Sequence, residues 1–337
     1  MKPQRSQSST LSLDETRNTL CARWLSFDNT QKTERIFKMN KWMKGILFGV
    51  FFAIFVFSSP AFSNQETDEI NAAIKEKNAK WTAGETTITK LYAKDRQKRL
   101  GLIPSKSSEE NYTALELMSV PSSVDWRNYN GNFVTPIRDQ GNCGSCWAFA
   151  ATAALESHEL IINNTPGINL DLSEQMLVCC SSSGSCSGGY EDLSSNYIRD
   201  TGIPSETCCP YTATNSSCNL NTCTSECIDL HTIAGWHRVA KSVETLKSEL
   251  CAYGPLVTTM RVYKDFFSYY RGIYSYVKGP YRGDHAILIV GYNDAEQYFI
   301  VKNSWGTGWG ESGYFRIAYS ELTSVVTFAY SNIAYEN

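Results

Sequence analysis

The sequence predicts an α+β protein of two lobes, helical first and β-rich second, and two stretches carry that prediction. From Cys146 to about Asn163 the chain holds neither Pro nor Gly and is rich in Ala, Leu and Glu, which specifies one long helix beginning at the cysteine. From His285 the pattern changes. Two apolar runs, His285 to Tyr292 and Gln297 to Lys302, flank a turn at Asn293-Asp294 and read as a hairpin of buried strands. Helices followed by strands, rather than alternating with them, argue for segregated layers with a cleft between the lobes.

Taken in order, residues 1–38 are polar and precede Met39, so translation from Met39 would leave them, and Cys21, out of the protein. Lys41 and Lys44 then precede the apolar run Gly45 to Phe57 and small residues at Ala61 and Ser63, so 39–63 reads as a signal peptide cleaved near Ser63. The run is short for a membrane span, and a retained anchor is the competing reading. Residues 64–120 are charged and cysteine-free, with helical spacing through Ile70, Ala73 and Ile74, and cannot build a core alone. Composition changes at Pro121-Ser122-Ser123-Val124-Asp125-Trp126-Arg127, which opens the main domain, 121–337. Shorter helices fit Ser173 to Cys179 and Tyr190 to Arg199, and a third strand fits Gly313 to Tyr319.

A chain of 337 residues, 42% hydrophobic and 19% charged, can bury a sizeable core, which excludes a disordered or peptide-scale class. Its net charge of -3 gives no basic surface for nucleic acid. Eleven of twelve cysteines lie between Cys143 and Cys251, a crowding that favours an oxidising compartment or a metal site. The signal-like N-terminus favours the former, and no histidine lies at ligand spacing in the cluster.

The chemistry starts at Gln140-Gly141-Asn142-Cys143-Gly144-Ser145-Cys146-Trp147. A thiol at the first turn of a helix gains stabilisation of its anion from the dipole and free N–H groups, and Cys146 has that setting. Such a nucleophile needs an imidazole to protonate the leaving amine. Among four histidines, His158 lies on the predicted helix and His231 and His237 lie in a polar connector, whereas His285 opens a buried strand. Asn303 lies in Asn303-Ser304-Trp305-Gly306-Thr307-Gly308-Trp309-Gly310, where an amide could fix the ring.

Together these strings resemble the papain-like cysteine peptidases, over roughly 121–337, with His285 lying 139 positions after Cys146 (285 − 146). The resemblance implies a papain-like fold and catalytic roles for Cys146, His285, Asn303 and Gln140, the last as oxyanion donor. It further implies that Trp305 shields the His–Asn contact, and that Gly188, Gly189 and Tyr190 line the substrate cleft, with Thr259 and Asp284 at its far wall. It implies bridges Cys143–Cys186 and Cys180–Cys218, and leaves Cys179, Cys208, Cys209, Cys223, Cys227 and Cys251 without assigned partners. Trp81-Thr82-Ala83-Gly84 and Lys98-Arg99-Leu100-Gly101 resemble a short cathepsin B-like inhibitory prosegment. No long insertion lies between Gly189 and Tyr211, so endopeptidase action is expected. The expected partners are protein or peptide substrates and the chain's own prosegment, with no cofactor, metal, nucleic acid or stable membrane insertion, in a secreted or lysosome-like monomer. The rival reading, a dithiol oxidoreductase, rests on Cys143-Gly144-Ser145-Cys146.

Overall fold

Helix α1 (Gln65–Glu76) opens the part of the chain that a computed structural model describes, residues 65–105, 119–217 and 229–336. The expected upstream extension and signal peptide lie outside the described residues. Acidic Glu66 and Asp68 in the first turn of α1 and Lys75 in the last suit the helix dipole, and Ile70 and Ile74, one turn apart, form its buried stripe. Strand β1 (Trp81–Ala83) and the short helix α2 (Ala93–Gln97) follow.

After strand β2 (Ser123–Asp125) comes α3 (Cys146–Ile162), within one residue of the predicted span. Its side chains from Cys146 to His158 are all buried, as expected of a helix surrounded by protein. Helix α4 (Glu174–Cys180) is capped by Ser173, whose Oγ accepts from Met176 N. The hairpin of β3 (Gly184–Ser185) and β4 (Gly188–Gly189) leads to α5 (Glu191–Asp200), completing the helical lobe.

The second lobe holds β5 (Gly235–Arg238), α6 (Val243–Tyr253), β6 (Leu256–Tyr263), β7 (Tyr269–Tyr274), β8 (Tyr281–Asn293), β9 (Tyr298–Lys302), β10 (Tyr314–Ala318) and β11 (Asn332–Glu336). Among the described residues these strands form one sheet in the order β1-β7-β10-β9-β8-β6-β11-β5, with β2 paired to β8. The α+β expectation holds. Strand β8 starts four residues earlier than the apolar run suggests, because β6 pairs with it back to Tyr281. Helix α3 packs on β8, Phe149, Ala150 and Ala153 sharing a cavity wall with Ala286, Ile287 and Leu288.

The N-terminal segment docks on the second lobe. Strand β1 extends the sheet antiparallel to β7, with Trp81 opposite Gly272, and Trp81 Nε1 donates to Ser275 O at 2.9 Å. Beyond it Gly84 N donates to Ser268 O at 2.9 Å and Thr87 N to Gly308 O at 3.1 Å. Ile88 is fully buried. Ordered backbone pairing with a distant strand gives this charged segment the core it lacks by itself.

Candidate active site

The turn before α3 is fixed from two sides. The Cys143–Cys186 disulfide ties it to the β3–β4 hairpin, and Gly144 N donates to Cys186 O at 2.9 Å. This is one of the two expected bridges, and it commits Cys143 away from Cys146, so the oxidoreductase dithiol does not exist here. The other expectation needs correction: Cys180 ends α4 as an exposed, unbonded thiol, and Cys218 lies outside the described residues. Cys208, Cys209 and Cys251 are disulfide-bonded.

Cys146 begins α3 fully buried. The backbone N–H groups of Ala286, Gly101, Trp147 and Cys146 itself come within hydrogen-bonding reach of its sulfur. The Ala286 contact seats the β8 strand against the helix start at the residue next to His285. His285 Nε2 pairs with Asn303 Oδ1 at 2.8 Å, and His285 Nδ1 is buried without a hydrogen-bond partner. The Trp305 ring lies over the imidazole, with centroids 4.8 Å apart, and is almost fully buried itself. Asn303 is held in turn, its N donating to Gly313 O at 3.0 Å and its Oδ1 accepting from Ser304 N at 2.8 Å. Ser304 Oγ donates to Gln140 Oε1 at 2.7 Å, which turns the Gln140 amide nitrogen toward the cleft. Thus the four residues read as catalytic from the sequence converge on one place.

Their electrostatics are those of a closed site. Burial pushes the Cys146 thiol up to about 11, against the pull of the four backbone N–H groups. Burial likewise pushes His285 down to about 4, opposed by the hydrogen bond to Asn303. Both groups are neutral near pH 7 in this form.

The model of the papain family of cysteine proteases matches residues 120–332. The chain belongs to that family. It is 39% identical over 207 residues to the cathepsin L-like proteinase of Fasciola hepatica, covering 59% of this chain and 61% of that relative's length. To the cathepsin B-like CP3 of Giardia intestinalis it is 31% identical over 276 residues, covering 77% and 90%. The structure of digestive procathepsin L2 proteinase from the Tenebrio molitor larval midgut matches with a TM-score of 0.68 at 28% identity, over 81% of this chain and 89% of that one.

In this papain-family chain the cleft is filled by residues 99–105. Arg99 O accepts from Gln140 Nε2 at 3.2 Å and from Trp305 Nε1 at 3.4 Å. Gly189 N donates to Gly101 O and Ile103 N to Gly189 O, both at 2.9 Å, so the segment runs parallel to β4. Leu102 N donates to Asp284 O at 3.3 Å. Gly189, Asp284, Trp305 and Gln140 therefore all touch one extended chain. A Cβ on Gly188 would come 2.9 Å from Gly101 O, placing Gly188 there too. Tyr190 follows Gly189 and precedes α5, and Thr259 is buried, its Oγ1 accepting from Ser331 N at 2.9 Å.

Gly101 packs against the nucleophile turn backbone to backbone: a Cβ on Gly101 would stand 1.9 Å from Gly144 O. Two other contributors escaped sequence reading. Ser304 orients Gln140, and Arg99 pairs with Asp139 to anchor the segment. Ser304 sits inside the Asn-Ser-Trp-Gly string, a signal that pointed near it; for Arg99 only the Lys98-Arg99-Leu100-Gly101 likeness gave a hint.

Proposed function

We propose that this papain-family chain is a cysteine endopeptidase made as a precursor, with 39–63 as signal peptide, 64–120 as inhibitory prosegment and 121–337 as mature enzyme. The single observation that carries the reading is the His285–Asn303 contact at 2.8 Å, on a strand whose next N–H reaches the Cys146 sulfur. Once residues 99–105 leave the cleft, water returns and the desolvation that keeps both groups neutral is relieved. A proton then moves from Cys146 to His285, giving a thiolate at the helix N-terminus beside an imidazolium.

The thiolate attacks the scissile carbonyl carbon, and the oxyanion is met by the Cys146 N–H and by Gln140 Nε2, the donor that Arg99 O occupies in the closed form. His285 gives its proton to the leaving amine, leaving a thioester on Cys146. Water, deprotonated by His285, hydrolyses it and regenerates the pair. Asn303 holds the ring in one plane and Trp305 keeps water from that contact. Extended substrates add to the Gly189 edge, as residues 101–103 do.

Endopeptidase rather than dipeptide-releasing action is supported by the stretch from Gly189 to Tyr211, which runs through α5 without an insertion that could close one end of the cleft. Entry to the secretory route is supported by the apolar run at 45–57 and by the disulfides. The test is covalent labelling of the converted enzyme by an epoxide-type thiol reagent together with cleavage of an internal bond in a defined peptide. Both should vanish in Cys146→Ala; labelling that persists in that variant overturns the assignment.

A further inference from the structure

Helix α3 begins without the cap its sequence offers. Ser145 stands at the N-cap position, where a serine hydroxyl ordinarily accepts from an N–H of the first turn, yet its side chain makes no such bond. Ser145 is fully buried, so an idle hydroxyl there would carry the cost of lost hydration. Its Oγ lies instead 2.6 Å from Tyr211 Oη.

The direction of that bond follows from the hydrogens present. Tyr211 has one hydroxyl hydrogen and donates it to the backbone O of Gln140 at 2.8 Å. Ser145 Oγ is therefore the donor to Tyr211 Oη, and the chain runs from Ser145 through Tyr211 to Gln140 with each hydrogen used. A serine committed in this way leaves the N–H groups of the first turn unclaimed by its own side chain.

The two ends of the chain carry the two oxyanion donors. Gln140 supplies Nε2, and the Cys146 N–H belongs to the peptide unit that joins Ser145 to Cys146. Tyr211 comes from a segment 66 positions beyond Ser145 and is itself fixed. Its N donates to Glu206 Oε1 at 2.6 Å, and its ring stands edge-on to Phe149 in the first turn of α3, with centroids 4.8 Å apart. Elsewhere Gln140 is held through other atoms: its N donates to Ser304 O at 2.9 Å, its Oε1 accepts from Ser304 Oγ, and its Nε2 donates to Cys143 O at 2.8 Å. Tyr211 holds the remaining polar atom, the carbonyl, and it is the group that joins Gln140 to the side chain of the residue before the nucleophile.

We propose that Tyr211 is a positioning residue for peptide hydrolysis, its hydroxyl spanning Gln140 and Ser145 and so fixing the two oxyanion donors relative to each other. It touches no reacting atom. Without that hydroxyl the Gln140 carbonyl loses a donor, and Ser145 Oγ turns back to cap the first turn of α3, which loosens the donor pair at both ends. This rests on the peptidase reading given above, and the test separates failure of one from failure of the other.

Wild type, Tyr211→Phe and Ser145→Ala are converted, and active sites are counted with the epoxide reagent. For each, kcat and KM on one peptide and the rate of alkylation by iodoacetamide are then measured per active site. Alkylation displaces iodide from a saturated carbon and builds no oxyanion, whereas attack on an amide does. Tyr211→Phe should lower kcat about tenfold, less than loss of a whole donor, with KM and the alkylation rate each within about twofold of wild type. Ser145→Ala keeps the Tyr211–Gln140 bond and should lower kcat by a smaller factor; it also serves should Tyr211→Phe give no labelled enzyme. A variant of either kind that labels and keeps the wild-type kcat, or a fall in kcat matched by an equal fall in alkylation, overturns the proposal alone. A converted wild type that neither labels nor cleaves overturns the peptidase reading with it.

Discussion

Cys146 and His285 illustrate how one pair of residues changes character with its surroundings. In the closed form burial holds the thiol near 11 and the imidazole near 4, so neither carries charge at neutral pH. Alkylation of the uncleaved precursor by iodoacetamide should therefore be slow at pH 7 and rise only in strongly alkaline solution, whereas the converted enzyme should react readily near pH 6. Equal rates in the two forms would remove the basis for a switched thiol. Gln140 offers a second check, because its side chain contributes one donor while Cys146 N–H supplies the other. Gln140→Ala should lower kcat by about 100- to 1000-fold with KM little changed. Cys146 and His285 were legible from a helix start and a strand opening, whereas Gln140 and Asn303 were legible only through the papain-like strings that hold them, since alone they read as loop and turn residues. The Ser304–Gln140 hydrogen bond was not, since it joins residues 164 positions apart and no local pattern encodes it.

Helices α3, α4 and α5 and the β8–β9 hairpin were legible within a residue or two, apart from the early start of β8, because periodicity and capping are local properties. Strand β1 was not. Three residues, Trp81 to Ala83, carry no strand signal of their own and are extended only because β7, some 190 positions later, offers its edge. The same pairing explains how a charged segment binds the enzyme at all: Trp81, packed against Tyr274 with ring centroids 5.2 Å apart, supplies an anchor that α1 and α2 cannot. Trp81→Ala should weaken docking by about 3–5 kcal/mol and speed conversion of the precursor. An unchanged conversion rate in that variant would place the anchor elsewhere, with Ile70, Ile74 or Ile88 as the next residues to truncate.

Acid acts on the whole molecule through buried carboxyl groups rather than through the catalytic pair. Closed, Cys146 and His285 share one proton held on the thiol, and open, that same proton lies on the imidazole, so the transfer takes up no proton and gives conversion no slope of its own. Within the main domain the carboxyl groups set the sign. Burial raises Glu206 to about 7 and holds Glu174 and Glu156 above the usual carboxylate range, so these groups bind protons more tightly folded than unfolded. Their contribution is present in acid and fades as pH rises, for Glu206 through about 7, and the mature enzyme should show a higher Tm at pH 5 than at pH 8. The division into two lobes was legible from the order of helices and strands, while the sheet order, set by pairings far apart in sequence, was not. One consequence concerns heredity rather than chemistry. The lock on the nucleophile turn works through what Gly101 omits, and every missense change at that codon installs a carbon 1.9 Å from Gly144 O. Such alleles would release their protease early inside the cell that makes it, so the harm would fall on the producer before any target was reached.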